Sequence, residues 1–309
     1  MNDKKSVVAI LLAGGMTDEF KAGDGPKHKA LLPVGGQPIA NYVIQALEES
    51  SVEKIFVIQD EGANLQEALT NSPKCLFFCK DKDNNTYSLS MRFGLEKVAE
   101  YYGYPDIKQK LIMTVPCDIP LVTRDNFNTL IEKAKTKDAD FTLAIIAENL
   151  VKKRFPHIHV RSFYLDDYKD RYTVQMIGFT NGELLLYDPD QAAGKARISF
   201  RGVDDERVIK VKETVDTVRD HRHHDFRLPR FTDKFAIRWL IRKEFILYIL
   251  KFLFNLISNR LTLAKAIEYF TGVLQVNTGF IVSEEVEISA DIDRPEDFLM
   301  VLGIPWDKA

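Results

Sequence analysis

Apolar residues in the first half of the chain fall into short continuous runs, separated by stretches where they recur every three or four positions. A run of four to eight apolar residues fits a strand buried on both faces, and the longer period fits a helix with one apolar stripe. The runs predict strands at 7–12, 54–58, 75–79, 111–115 and 141–146. The periodic stretches predict helices at 39–49, 63–69, 88–101 and 124–136. Regular alternation of this kind argues for an α/β fold with a doubly wound, mostly parallel, Rossmann-like sheet.

The pattern changes at about 157, where a strand-rich stretch runs to 184–187 and stops before Asp188-Pro189. A charged region follows at 201–230, and then a strongly apolar helix at 232–258 and a second helix at 261–270. Near the end, 286–290 reads as a strand returning to the sheet and 295–301 as a closing helix. No internal repeat interrupts this order. The reading is one domain, with a core at 1–200 and 281–309 and a C-terminal helical insertion at 201–280.

Composition narrows the function classes. The near balance of 42 Lys+Arg and 45 Asp+Glu removes a bulk electrostatic case for nucleic-acid binding. Three cysteines (Cys75, Cys79, Cys117) have no metal-site spacing and suit a reducing compartment. The apolar run 7–13 follows Lys4 and Lys5, but it is short and ends in Gly-Gly and a charged stretch, unlike a cleavable signal. A cytoplasmic location is expected. Of twenty Phe, eight lie between 226 and 280. In that region Arg238, Arg242, Lys243, Glu244 and Lys251 break any run long enough to span a membrane. A helix this apolar requires cover on two sides, from the core, from a second copy in a homodimer, or from peripheral membrane contact through 232–258. The run Arg219-Asp220-His221-Arg222-His223-His224 has groups for a metal or an anion, but it lacks partner carboxylates or cysteines at structural metal spacing.

The chemistry starts at the end of the first strand, where Leu12-Ala13-Gly14-Gly15 offers backbone N–H groups to an anion. A glycine there is commonly only a turn. Downstream, Lys29-Ala30-Leu31-Leu32-Pro33-Val34-Gly35-Gly36-Gln37-Pro38 adds a lysine a loop away, the point charge a triphosphate needs. Together these segments resemble the nucleotidyltransferases with a glycosyltransferase-A-like fold, a superfamily that includes the MobA-like NTP transferases. The resemblance implies that Leu12, Ala13, Gly14 and Gly15 wrap a triphosphate and that Lys29 neutralises it. The family usually continues this loop with a further glycine and an arginine. Here those places hold Thr17 and Glu19, leaving Lys21 and Lys27 as the nearby cations.

The apolar strand 111–115 runs into Pro116-Cys117-Asp118-Ile119-Pro120-Leu121. The resemblance places a magnesium-binding, catalytic aspartate at Asp118. It places a second ligand in Asp291-Ile292-Asp293-Arg294-Pro295-Glu296-Asp297, either at Asp291 or at Asp293. On an extended strand these two carboxylates share a face. Two carboxylates plus substrate phosphate oxygens form a usual Mg²⁺ donor set. Glu296 and Asp297 read as first-turn helix residues.

Asn85, Thr86, Ser88 and Ser90 lie at a predicted helix start, where Ser88 or Ser90 would serve as an N-cap. Ser90-Met91-Arg92-Phe93-Gly94-Leu95 is also similar to the family element that lines the nucleobase pocket. The resemblance implies that this later strand-rich region forms the acceptor side of the cleft, making Arg154 and Arg161 candidate phosphate contacts with Thr180, Asn181 and Gly182 beside them; solvated edge charges are the plainer reading of both arginines. The expected activity is Mg²⁺-dependent transfer of an NMP from an NTP to a small, phosphorylated acceptor with release of pyrophosphate. A glycosyltransferase of the same fold is a second reading, weakened because Ile119-Pro120 follows Asp118 where that group has Asp-x-Asp. A non-catalytic nucleotide-binding regulator is a third, motivated by Glu19.

Overall fold

The first apolar run forms β1 (Ser6–Leu12), and its alternating side chains feed two separate cores. Val7, Ala9 and Leu11 pack into one cluster, while Val8, Ile10 and Leu12 pack into another. A strand can do this only in the middle of a sheet covered on both faces. The computed structural model describes residues 5–15, 28–80, 87–188, 197–200, 251–292 and 297, except positions 62, 71, 104, 157, 159, 161, 253 and 275.

After β1 come a hairpin, β2 (Pro33–Val34) and β3 (Gln37–Pro38), then α1 (Ile39–Glu49) and β4 (Val52–Asp60). The two-residue hairpin turn is Gly35-Gly36, and both glycines have positive φ (56° and 89°), as a turn matched to strand twist requires. Next are α2 (Leu65–Ala68), β5 (Cys75–Lys80), α3 (Tyr87–Tyr102), β6 (Lys110–Pro116) and α4 (Arg124–Lys135). Helix α4 begins in a capping box, with the Thr123 hydroxyl accepting from the Asn126 N–H and Asn126 reaching back to the Thr123 N–H. Then follow β7 (Phe141–Ala147), α5 (Glu148–Arg154), β8 (Ser162–Leu165), β9 (Asp170–Asn181), β10 (Leu185–Asp188) and β11 (Arg197–Phe200). The described chain resumes through α6 (Leu263–Leu274) to β12 (Thr278–Ser283).

The main sheet runs β12-β7-β9-β6-β1-β4-β5, with β8 paired to β9. All neighbours on the main path are parallel except β9, which is antiparallel to β6 and β7. This is the expected mostly parallel α/β sheet. Helices α1 and α4 cover one face, through Val43, Ile44, Leu47, Phe127, Leu130 and Ile131. Helix α3 covers the other face of β1 and β4 through Leu95, Val98 and Ala99. A side chain at Gly94 would meet Ile10 Cγ2 at 2.5 Å, so this glycine sets how closely α3 approaches the sheet.

Two expectations change and one helix is added. The returning strand is Thr278–Ser283, paired with β7, whereas Val286–Ser289 is a 3-10 turn. The alternation in Val286-Glu287-Ile288-Ser289 imitates a strand, but the turn serves to bury Ile288 beside β9 and α5. The helix expected at 63–69 shrinks to Leu65–Ala68 because Asn64 adopts a left-handed conformation (φ 49°) before it. Residues 148–154, just before the strand-rich stretch, form a helix that the sequence pattern did not predict. The predicted helices 232–258 and 295–301 lie mostly outside the described residues; 251–252 and 254–257 are helical. No helix among the described residues is long and apolar enough to cross a membrane.

At the N-terminal edge of the parallel strands the chain is pinned tightly. The buried Lys5 Nζ donates to Asn181 Oδ1 at 2.5 Å and to Glu183 Oε1 at 2.9 Å. Gly182 sits against the backbone before β6, where an added Cβ would fall 1.9 Å from the Ile107 carbonyl oxygen. A backbone atom cannot rotate away, so Gly182→Ala is expected to destabilise the fold by about 3 kcal/mol or more. Urea denaturation of the variant checks this, and an unchanged midpoint would contradict the packing described.

Candidate functional site

In a parallel sheet the C-terminal strand ends gather at one edge, and the loops beyond them form the natural ligand crevice. Beyond β1, Ala13 N–H donates to the Ile58 carbonyl at 2.9 Å, keeping the chain on the sheet for one more residue. Gly14 and Gly15 then leave it. Gly15 has φ 145°, a conformation that favours glycine, and a Cβ on Gly14 would meet Asp60 Oδ1 at 2.8 Å. The described chain resumes at His28, and there Lys29 N–H donates to the Gly15 carbonyl at 3.1 Å. Lys29 opens a 3-10 turn whose next residue, Ala30, is fully buried. The turn therefore anchors the backbone while the ammonium reaches along the edge.

That ammonium meets Asp118. Lys29 Nζ lies 2.5 Å from Asp118 Oδ2, and both side chains are mostly shielded from solvent. Asp118 stands two residues beyond β6 between buried Cys117 and Ile119. Its backbone carbonyl accepts from Ile292 N–H at 2.9 Å. Ile292 is itself buried with Leu32, Val34 and Ile39, so the 291–292 segment is clamped between the hairpin and Asp118. The structure thus brings Gly14, Gly15, Lys29, Asp118 and Asp291 to one end of the sheet. Leu12 and Ala13 are buried beneath them. Asp293 lies outside the described residues.

Asp118 Oδ1 is buried and has no hydrogen-bond partner, whereas its other oxygen holds Lys29. Buried carboxylate oxygens are normally satisfied, so the vacant lone pairs suit a hard cation. Among the described residues no group of three or more His, Cys, Asp or Glu gathers elsewhere as a metal cage. Two carboxylates and substrate oxygens therefore fit this place better than a complete protein cage. Cys117, next to Asp118, is no nucleophile: burial, and then the Asp118 charge, push its thiol up and keep it neutral.

The other expected contacts separate. Helix α3 starts near the site edge, where Tyr87 OH donates to the Met176 carbonyl on β9 at 2.9 Å, and Ser90 is buried in its first turn. The Ser88 backbone lies in that same turn, while Asn85 and Thr86 lie outside the described residues. Thr180 pairs with Ile112, six positions before Asp118, which puts it about 20 Å away along the strand. Thr180, Asn181 and Gly182 thus sit at the opposite edge, committed to Lys5 and the β6 approach, and the structure does not bring them to Asp118. Arg154 ends α5, exposed, with its guanidinium over the Phe155 ring at 5.5 Å. Arg161 lies outside the described residues.

One feature beside the loop was not anticipated. Asp60 ends β4 and Lys80 ends β5; their charged groups are 2.8 Å apart and almost wholly buried. Asp60 Oδ2 also accepts the Gly15 N–H at 3.2 Å. The available signal was a charged residue ending each of two neighbouring apolar strands, on the edge where ligands bind.

A profile of the MobA-like NTP transferase domain matches residues 9–189, more than half of the chain. The chain belongs to this family. Among curated relatives, the bifunctional protein GlmU of Syntrophomonas wolfei is 28% identical over 127 residues, 40% of this chain and 26% of that protein. The GlmU protein of Oceanobacillus iheyensis is 27% identical over 132 residues, 42% of this chain and 26% of its own length. The chain thus aligns with about a quarter of the length of these curated relatives. A hypothetical transferase from Thermus thermophilus shares the fold, with a TM-score of 0.63 and 18% identity over 95% of this chain and 99% of that one. Within the MobA-like match fall Gly14, Gly15, Lys29 and Asp118, whereas Asp291 lies beyond it.

At the same edge, Glu148 opens α5 directly after β7 and gathers the local cations. It pairs with Lys152, hydrogen-bonds Ser162, and accepts from Arg171 Nε at 2.9 Å. Hydrogen bonding from Lys152, and then from Ser162, holds its carboxyl at about 2, below the ordinary 4.5. A depressed folded-state value contributes stability that is present above pH 4.5 and disappears as the pH falls towards about 2. Glu148→Gln is expected to lower the urea midpoint at neutral pH and to flatten its decline across that acid window. Parallel acid limbs in the two proteins would show that Glu148 titrates normally.

Proposed function

We propose that this protein is a Mg²⁺-dependent nucleotidyltransferase. An oxygen of a phosphate-monoester acceptor attacks the α-phosphorus of a nucleoside triphosphate; the P–O bond to the β-phosphate breaks in line and pyrophosphate leaves. Such transfers need little covalent help and depend on positioning and charge stabilisation. The observation that carries the reading is the joining of Gly15, Lys29, Asp118 and the 291–292 segment at one sheet edge, in a member of the MobA-like NTP transferase family.

In this reading the glycine loop lies along the triphosphate, and Lys29 moves its ammonium between the Asp118 carboxylate and a phosphate oxygen. The Lys29 backbone need not shift, because it is held to Gly15. Asp118, together with Asp291 or Asp293, would hold Mg²⁺, which when bound offsets charge on the phosphoryl oxygens. Ser90, with Asn85, Thr86 and Ser88 before it, is assigned to the base, and Arg154 and Arg161 to the acceptor. Pro120 stands where the second carboxylate of an Asp-x-Asp beginning at Asp118 would fall, which argues against a nucleotide-sugar glycosyltransferase.

Pyrophosphate release from each NTP, with pooled phosphorylated acceptors, tests the reaction. Asp118→Ala is expected to lower turnover at least about a hundredfold with a native circular dichroism spectrum. Lys29→Ala is expected to raise the KM for NTP as well. A protein that binds Mg²⁺-NTP tightly but releases no pyrophosphate with any acceptor would favour a regulatory role instead.

A further inference from the structure

We infer that the buried Asp60–Lys80 pair is a positioning and charge-balancing device for the phosphate loop, an inference that rests on the proposed nucleotide site. The two residues end adjacent parallel strands, β4 and β5, whose register places Asp60 opposite Lys80. Their side chains are 6% and 2% exposed, with Lys80 Nζ 2.8 Å from Asp60 Oδ1. The other Asp60 oxygen takes the Gly15 N–H, and the Gly14 Cα lies so close that a Cβ there would stand 2.8 Å from Oδ1 and 3.2 Å from Lys80 Cε. Backbone ties hold the pair in place: Glu61 N–H donates to the Lys80 carbonyl at 3.0 Å, and Ala63 N–H to the Asp60 carbonyl at 3.1 Å.

An isolated carboxylate beneath a loop that receives a triphosphate is electrostatically unfavourable. Ionised, buried and accepting a loop amide, Asp60 fixes the φ 145° conformation of Gly15 but places a negative charge next to the substrate. Lys80 cancels that charge while leaving the hydrogen bond intact. A pair kept only for stability would have a poor rationale, since buried ion pairs are often no better than apolar replacements of similar volume. Position supplies the rationale: the carboxylate shapes the loop, and the ammonium makes that shape compatible with an anion.

The consequence is a difference in sign between the two single variants. Lys80→Met exposes the loop to an uncompensated carboxylate and should weaken Mg²⁺-NTP binding about tenfold. Asp60→Asn keeps an acceptor for Gly15 but leaves the ammonium, and should tighten binding or leave it at the wild-type level. The neutral double variant Asp60→Asn/Lys80→Met should recover most of the affinity lost in Lys80→Met. Each is read by isothermal titration of the full chain with Mg²⁺ and the NTP that wild type binds best. Thermal unfolding is measured alongside. A purely structural role predicts losses of the same sign in both single variants, each in step with its loss of thermal stability, and that outcome overturns the inference. If Lys80→Met does not fold, Asp60→Asn decides: binding at or above the wild-type level supports charge balance, and a tenfold loss overturns it. Failure of wild type to bind any NTP, with Lys29→Ala no different, would sink the nucleotide site itself. Normal wild-type binding with an insensitive Asp60–Lys80 pair would sink only this inference.

Discussion

The end of the sheet is organised around one contact, the 2.5 Å approach of Lys29 to Asp118. It joins the segment after the glycine loop to the end of β6, two parts of the chain that no regular element connects. Holding these charges mostly out of water costs desolvation energy that their attraction only partly offsets. The backbone meets that cost by burying neighbours, since Ala30 beside the lysine and Cys117 and Ile119 beside the aspartate are nearly inaccessible. The charged groups are thus held by apolar residues rather than by one another. Such an arrangement is wasteful as a device for stability and sensible as a device for presenting two opposite charges to a ligand.

The Asp60–Lys80 pair repeats that logic on the other side of β1. Each pair sits beyond the C-terminal end of a strand adjacent to β1, and each is tied to Gly15, one through the lysine backbone and the other through the carboxylate. Gly15 is therefore the residue that both pairs position. Its carbonyl and its amide are both engaged by the protein, which leaves its conformation little freedom before any substrate arrives. A side chain at Gly14 would intrude on the Asp60–Lys80 pair, so the two glycines serve different ends, one yielding space and the other a conformation.

How much of this was legible in the sequence depended on the range of the interaction concerned. Continuous apolar runs leave a local trace, so β1, β4, β5, β6 and β7 were readable from them, and Lys29 and Asp118 from the motifs around them. The return to the sheet was misplaced by several residues, because alternation in Val286-Glu287-Ile288-Ser289 has the period of a strand whether or not a partner is beside it. Thr180 and Asn181 were assigned to the acceptor because the comparable region of the resembling superfamily forms that side of the cleft. Their true setting followed from β9 running antiparallel, which places its last residues at the far edge, and nothing local to them encodes that direction. Asp60 and Lys80 were passed over for the same reason: a carboxylate and an ammonium twenty residues apart become a pair only once β4 and β5 are in register.

The excess of phenylalanine towards the C-terminus acquires a partial physical reason from the two faces of the sheet. Helices α1 and α4 cover one face along most of its width, since Leu11 of β1, Ala144 and Ile146 of β7 and Ile281 of β12 all join their cluster. Helix α3 covers the opposite face around β5, β4, β1 and β6. On that face the β7–β12 half would be bare without another layer, and a mostly parallel sheet does not tolerate a wet face. Helix α6 and the segment before it supply the layer through Phe252, Leu256, Tyr269 and Phe270, packed on Ile145, Tyr172 and Phe280. Edge-on ring contacts carry it across, from Phe252 to Phe270 at 6.1 Å and from Phe270 to Phe280 at 5.5 Å. Phe254 and Ile257 point away from that layer and stay exposed, so covering the sheet accounts for one side of this segment and leaves the other apolar.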